Sequence, residues 1–139
     1  MKLPQPIRAL LGRTSACVLS DLETASAFFE PFFAGISHEL LVIAELDLTL
    51  RLVGKQMLPG DRTTVAFDLE LVMRKAFADG ARAMIVAHNH PQGIAAPSKE
   101  DMLVTRDIAL AGRVVGIRLI DHLIFASDGR YSFRESGLM

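Results

Sequence analysis

The sequence predicts an α/β or α+β fold: a β-sheet with helices packed on its faces. Three observations carry that expectation. Short, branched apolar runs (39–47, 83–88 and 114–126) alternate with segments whose apolar residues recur at helical spacing. Gly, Pro and Asp punctuate the joins. The resulting order is helix, two or three strands, helix, strand, helix, two strands, which suits a sheet covered by helices.

Each element has its own signal. Residues 1–19 hold Pro4, Pro6 and Gly12 and read as an arm over the body. Ser20 and Glu23 form a capping box, Ser20 as N-cap, that starts a helix through Thr24 to about Glu30, where Pro31 sets a kink or stop. Phe28, Phe29, Phe32 and Phe33 read as core, because a base-stacking platform would be paired with a basic groove. Glu39 to Asp47 reads as a buried strand, with Glu39, Leu41, Ile43 and Glu45 on one face and Leu40, Val42, Ala44 and Leu46 on the other. A second strand spans Leu48 to Leu58 after a tight hairpin at Asp47 and Thr49, Pro59-Gly60-Asp61 is a turn, and Thr63 to Phe67 is a short third strand. Asp68 caps a helix whose apolar stripe is Leu69, Val72, Met73, Ala76 and Phe77, ended by Gly80. After the strand Ala83 to His88, a helix runs from Ser98 to about Ala111 and is closed by Gly112. Val114 to Ala126 gives one strand or two, and Asp128-Gly129 turns into Tyr131-Ser132-Phe133.

Bulk properties narrow the function classes. A chain of 139 residues is one domain by length, 1–139, with 1–35 as N-terminal arm and helix, and it is long enough to bury a core without staples. Fifteen basic and 16 acidic residues give a net charge of −1, and they are interspersed, so no electrostatic surface for nucleic acid is advertised. Cys17 stands alone, which excludes an internal disulfide and a cysteine-based zinc site and suits a reducing compartment. Neither a signal-peptide pattern nor a long uncharged apolar run is present, so a cytoplasmic location without a membrane is expected. Dimerisation stays open.

The chemistry centres on Ala87-His88-Asn89-His90-Pro91, followed seven residues later by Ser98-Lys99-Glu100-Asp101. Along a strand, residues two apart point to one side, so His88 and His90 aim at a common point while Asn89 faces away. Pro91 ends the ladder. Asp101, in the first turn of the next helix, returns a carboxylate to the same place. Two imidazoles and a carboxylate are suitable zinc ligands, and three protein ligands leave a fourth position for water. An isolated H-x-H is usually coincidence, and Ser98 with Asp101 is also an ordinary helix start. The two readings of Asp101 are compatible, since a cap fixed by Ser98 would hold the carboxylate still. A hydrolase also needs a base for the water's proton. Glu39 is the candidate, a carboxylate opening a buried strand; a solvated strand end is the competing reading. Glu45 and Glu70 are weaker candidates. Asp121-His122 reads as an alternative ligand pair, as a partner orienting an imidazole, or as a buried structural pair.

H-x-H-x7-S-x-x-D after a strand-opening glutamate resembles the JAMM (JAB1/MPN+) metalloprotease motif. The residues around it, Ala87 to Gly93, Pro97-Ser98, Asp101, Thr105, Gly116-Ile117 and Asp121-His122-Leu123-Ile124, resemble the RadC family's JAB-like domain over about residues 36 to 137. The resemblance implies a cytidine-deaminase-like three-layer fold and one Zn²⁺ held by His88, His90 and Asp101. It implies that Glu39 activates the zinc-held water and that Ser98 steadies the oxyanion. The implied activity is cleavage of peptide or isopeptide bonds, with a protein or peptide substrate such as a ubiquitin-like C-terminus. Two departures stand out: the family's N-terminal helix-hairpin-helix segment has no counterpart in these residues, and its Pro-Arg-Glu reads Asp68-Leu69-Glu70. The alternative reading is a RadC-like module, associated with DNA repair or protein binding, whose metal is structural.

Overall fold

A computed structural model describes residues 17–60 and 68–139. The expected third strand at 63–67, Asp61 of the turn and most of the arm lie outside the described residues. The elements are α1 (Leu22–Phe33), β1 (Leu40–Leu46), β2 (Leu52–Pro59), α2 (Leu69–Ala78), β3 (Ala83–Asn89), α3 (Lys99–Val115), β4 (Arg118–Ala126) and β5 (Gly129–Ser132). Five strands form one sheet in the order β2-β1-β3-β4-β5. The β3–β4 pair is parallel, joined through α3, and the remaining pairs are antiparallel. The mixed sheet flanked by helices is the fold expected from the sequence.

Two cores form because β1 and β3 alternate and both their faces are covered. Val42, Ala44, Leu46, Ala83, Ile85 and Ala87 pack with Phe29 of α1. Leu41, Ile43, Met84 and Val86 pack with Val72, Met73 and Ala76 of α2 and Ile108 of α3. The alternation expected for β1 holds, and it puts His88 on the α2/α3 side of β3. Phe29 is fully buried, and Phe28, Phe32 and Phe33 pack against the same core.

Several boundaries move, each for a physical reason. The α1 cap is Asp21 rather than Ser20: its carboxylate accepts from Thr24 N–H at 2.7 Å, and Thr24 Oγ1 accepts from Asp21 N–H at 3.1 Å. Thr24 therefore fills the role expected of Glu23. Pro31 lies inside α1, because φ near −65° is helical and Phe32 and Phe33 gain contacts beyond it. β2 starts later than Leu48, since Asp47 Oδ1 accepts from Thr49 N–H, Thr49 Oγ1–H and Arg51 N–H and winds 47–51 into a turn. Pro59 closes β2 rather than opening a turn. Phe77 is 64% exposed, lying roughly a quarter-turn from the centre of the buried stripe at 100° per residue.

The helix after the histidines runs past Gly112 to Val115, so Val114 belongs to α3 and is not strand. A Cβ on Gly112 would lie 2.2 Å from the Ile117 carbonyl oxygen; this glycine permits a close crossing and ends nothing. The helix stops at Gly116, whose φ of +76° only glycine adopts cheaply.

Candidate metal centre

β3 delivers His88 fully buried at its end, and His90 follows where the ladder has stopped. The His90 backbone N–H still donates to the Phe125 carbonyl at 2.8 Å, which holds the residue at the sheet margin. Its Nδ1 lies 2.8 Å from the Ile94 carbonyl oxygen. A carbonyl only accepts, so Nδ1 carries the proton and the neutral ring keeps its lone pair on Nε2. The loop that supplies this carbonyl is anchored by Ala95 N–H donating to Asp128 at 2.9 Å.

Asp101 arrives from the first turn of α3. Ser98 Oγ accepts from Asp101 N–H at 3.1 Å, and Asp101 Oδ2 accepts from Ser98 N–H at 2.9 Å, a reciprocal cap that fixes the carboxylate. Burial raises the Asp101 pKa, but the His88 ring beside it and the Ser98 contacts outweigh that and hold the group well below the usual carboxylate range. It is an anion ready to bind a cation.

Donor atoms of three residues therefore converge. His88 Nε2 and His90 Nε2 are 2.9 Å apart, and Asp101 lies 3.2 Å from each, Oδ1 towards His88 and Oδ2 towards His90. Ligands at about 2.0–2.1 Å in a tetrahedron stand about 3.3 Å from one another. The cluster is thus sized for one divalent ion and needs only a slight opening to hold it. Imidazole nitrogen and carboxylate oxygen suit such an ion, and the trio is the one metal-competent group of three among the described residues.

A family model described as a RadC-like JAB domain matches residues 19–138. This chain belongs to the RadC family of JAB domains. The domain is similar to UPF0758 proteins of Trichlorobacter lovleyi (38% identical over 128 residues, 85% of this chain and 56% of that protein) and Symbiobacterium thermophilum (37% over 133 residues, 91% and 57%). One from Porphyromonas gingivalis is 33% identical over 123 residues, 87% of this chain and 54% of that protein. The chain spans little more than half the length of these relatives.

Beside the cluster, Ser37, His38, Glu39, His90, Pro91 and Ser98 line a cleft of about 570 Å³ in the RadC-family domain. Glu39 and Ser98 thus share one open space with His90. The backbone around Glu39 is clamped from two directions. Gly60 N–H donates to the Glu39 carbonyl at 3.0 Å, and a Cβ on Gly60 would lie 2.6 Å from Glu39 Cβ. Asn89, facing away from His88 and His90 as expected, accepts from Leu40 N–H at 2.7 Å and donates to the His38 carbonyl at 2.9 Å. These two holding residues were not legible as such; only the pairing of β1 with β3 shows that Asn89 reaches both neighbours of Glu39.

The other candidates fall elsewhere. Glu45 is fully buried at the opposite end of β1, where Oε2 accepts from Gln56 at 2.8 Å and Lys75 lies 3.6 Å from Oε1. Burial raises its pKa, and the neighbouring Asp79 adds to the rise. Glu70 is an exposed partner of Arg74. Asp121 accepts from Ser132 Oγ at 2.6 Å, His122 N–H at 2.8 Å and Arg134 N–H at 3.0 Å, a structural anchor. His122 instead touches the cluster: its Nε2 is 2.7 Å from His88 Nδ1. Among the described residues, no helix is long and apolar enough to cross a membrane.

Proposed function

We propose that this RadC-family domain is a zinc-dependent hydrolase of peptide or isopeptide bonds. The observation that carries the reading is the convergence of His88, His90 and Asp101 within 3.2 Å of one another, beside a cleft lined by a carboxylate and a hydroxyl. Zn²⁺ bound there would polarise the scissile carbonyl and lower the pKa of water to about 7. His88, His90 and Asp101 would hold the ion beside the cleft. Glu39 accepts a proton from the attacking water and returns it to the leaving amine nitrogen. Ser98 donates its hydroxyl hydrogen to the oxyanion that develops on the carbonyl. The substrate class in this reading is a protein or peptide with an extended chain end, such as the C-terminus of a ubiquitin-like protein.

Two measurements test the reading. Elemental analysis of protein prepared with zinc and without chelator is expected to give close to one equivalent, lost in His88→Ala, His90→Ala and Asp101→Ala; wild-type protein without zinc would refute it. Glu39→Gln should keep the metal and lose about 10²–10⁴-fold in turnover of a peptide or isopeptide substrate, the contribution typical of a general base. Unchanged turnover would remove Glu39 from its role.

A further inference from the structure

Behind His88 runs a chain of hydrogen bonds whose direction can be read from the chemistry of its ends. Thr105 Oγ1 lies 2.6 Å from the Asp101 carbonyl oxygen and 2.5 Å from His122 Nδ1. The carbonyl has no hydrogen to give, so the single hydroxyl hydrogen of Thr105 lies towards Asp101. Thr105 then meets His122 only as an acceptor, and His122 Nδ1 must carry a hydrogen. In a neutral His122 this leaves the lone pair on Nε2, 2.7 Å from His88 Nδ1. His88 in turn donates through Nδ1 and keeps its own lone pair on Nε2, the atom that faces His90 and Asp101. The path starts on the backbone of one ligand and ends on the ring of another.

We propose that His122, set by Thr105, is a positioning residue that fixes the His88 tautomer and so presents His88 Nε2 ready for a metal. The inference rests on the metal reading above.

Several independent features serve this arrangement. Strict alternation along β4 from Leu119, which packs with Met84 on the α2/α3 side, would put Asp121 on that side and His122 on the other. The register slips between Met84 and Ile85, so that Leu119 and Asp121 pair with successive β3 residues, and His122 comes into line with Val86 on the side of His88. Such a bulge re-aims a side chain. The His122 ring is fully buried and stacks on Phe133 at 4.7 Å between centroids and 10° between planes. Phe133 N–H donates to the His122 carbonyl at 3.1 Å, and Asp121 ties Ser132 and Arg134 on either side of Phe133. His122 is thereby held by its ring face, its backbone and Nδ1, leaving Nε2 for His88.

A histidine that merely fills the core would not govern which nitrogen of His88 is protonated. The test is therefore nitrogen NMR on the metal-free full chain, labelled in its imidazole rings, at mildly alkaline pH. Two-bond correlations identify the protonated nitrogen, and competition with a chelator gives the zinc Kd. Wild type is expected to carry the His88 hydrogen on Nδ1, coupled through the hydrogen bond to His122 Nε2. Thr105→Val should lose that single tautomer and weaken zinc by about 10–100-fold, the usual effect of removing a ligand's supporting partner. Thr105→Ser should restore both. An unprotonated His88 Nδ1 in wild type would overturn the proposal, as would a Thr105→Val protein with an unaltered tautomer and Kd. Should Thr105→Val not fold, the wild-type spectrum decides alone. A wild-type chain that takes up no zinc defeats the metal reading, while the tautomer is still read without it.

Discussion

At the scale of the residue, geometry fixes Glu39 more firmly than its surroundings in sequence suggest. A carboxylate ahead of an apolar run marks Glu39 as a candidate, and the convergence of His88, His90 and Asp101 was legible from spacing, with Ser98 legible as the cap beside them. Gly60 read as turn chemistry and Asn89 as a residue facing away; their work lies in contacts made across the sheet, which no local pattern encodes. Gly60→Ala tests the first contact. A methyl 2.6 Å from Glu39 Cβ must push one strand end aside, so zinc content should stay near wild type while turnover falls about tenfold or more, in keeping with the sensitivity of catalysis to a displacement of about 1 Å. Asn89→Ala should behave likewise, because it frees the His38 carbonyl and the Leu40 N–H together. Parallel metal analysis and kinetics check both variants; equal loss of metal and turnover would mean the clamp serves the ligands and not Glu39.

At the scale of the element, α3 shows how local and tertiary signals divide. Its start was legible because a serine cap and an aspartate three residues on satisfy each other within one turn. Its end was not, because Gly112 and Gly116 look alike in sequence. One is required by the Ile117 carbonyl packed against it and the other by a left-handed backbone. Gly112→Ala should therefore destabilise by about 1–3 kcal/mol through overpacking, and urea unfolding with an unchanged slope is the check. Stability equal to wild type would mean the crossing can open freely. The bulge in β4 was invisible for the same reason. A run of branched residues states that a strand exists, but only its pairing partner sets where the alternation slips.

At the scale of the whole molecule, both faces of the sheet are buried at its central strands β1 and β3, so a charge inside it must be compensated. Glu45 is that charge. Its pKa is raised in the folded state, so the protonated form is the one folding favours; stability is full at a pH below the unfolded value of about 4.3 and declines as pH rises through the folded value. Glu45→Gln should accordingly raise Tm at neutral pH by a few degrees, with the gain shrinking towards pH 4. Thermal melts across that range check it, and a Tm lowered at neutral pH would show that the Lys75 pairing outweighs the burial. The layered fold was legible because both core faces follow from periods of 2 and 3.6; Glu45 was not, because Gln56, Lys75 and Asp79 meet it only once β2 and α2 are in place.

One ion held among three side chains from two elements is the centre of the proposed chemistry. Crystals grown with zinc and measured at its absorption edge address this directly. The expected result is a single anomalous peak about 2.0–2.2 Å from His88 Nε2, His90 Nε2 and an Asp101 carboxylate oxygen. A zinc-replete crystal with no peak there, or with its only peak elsewhere on the chain, would contradict it.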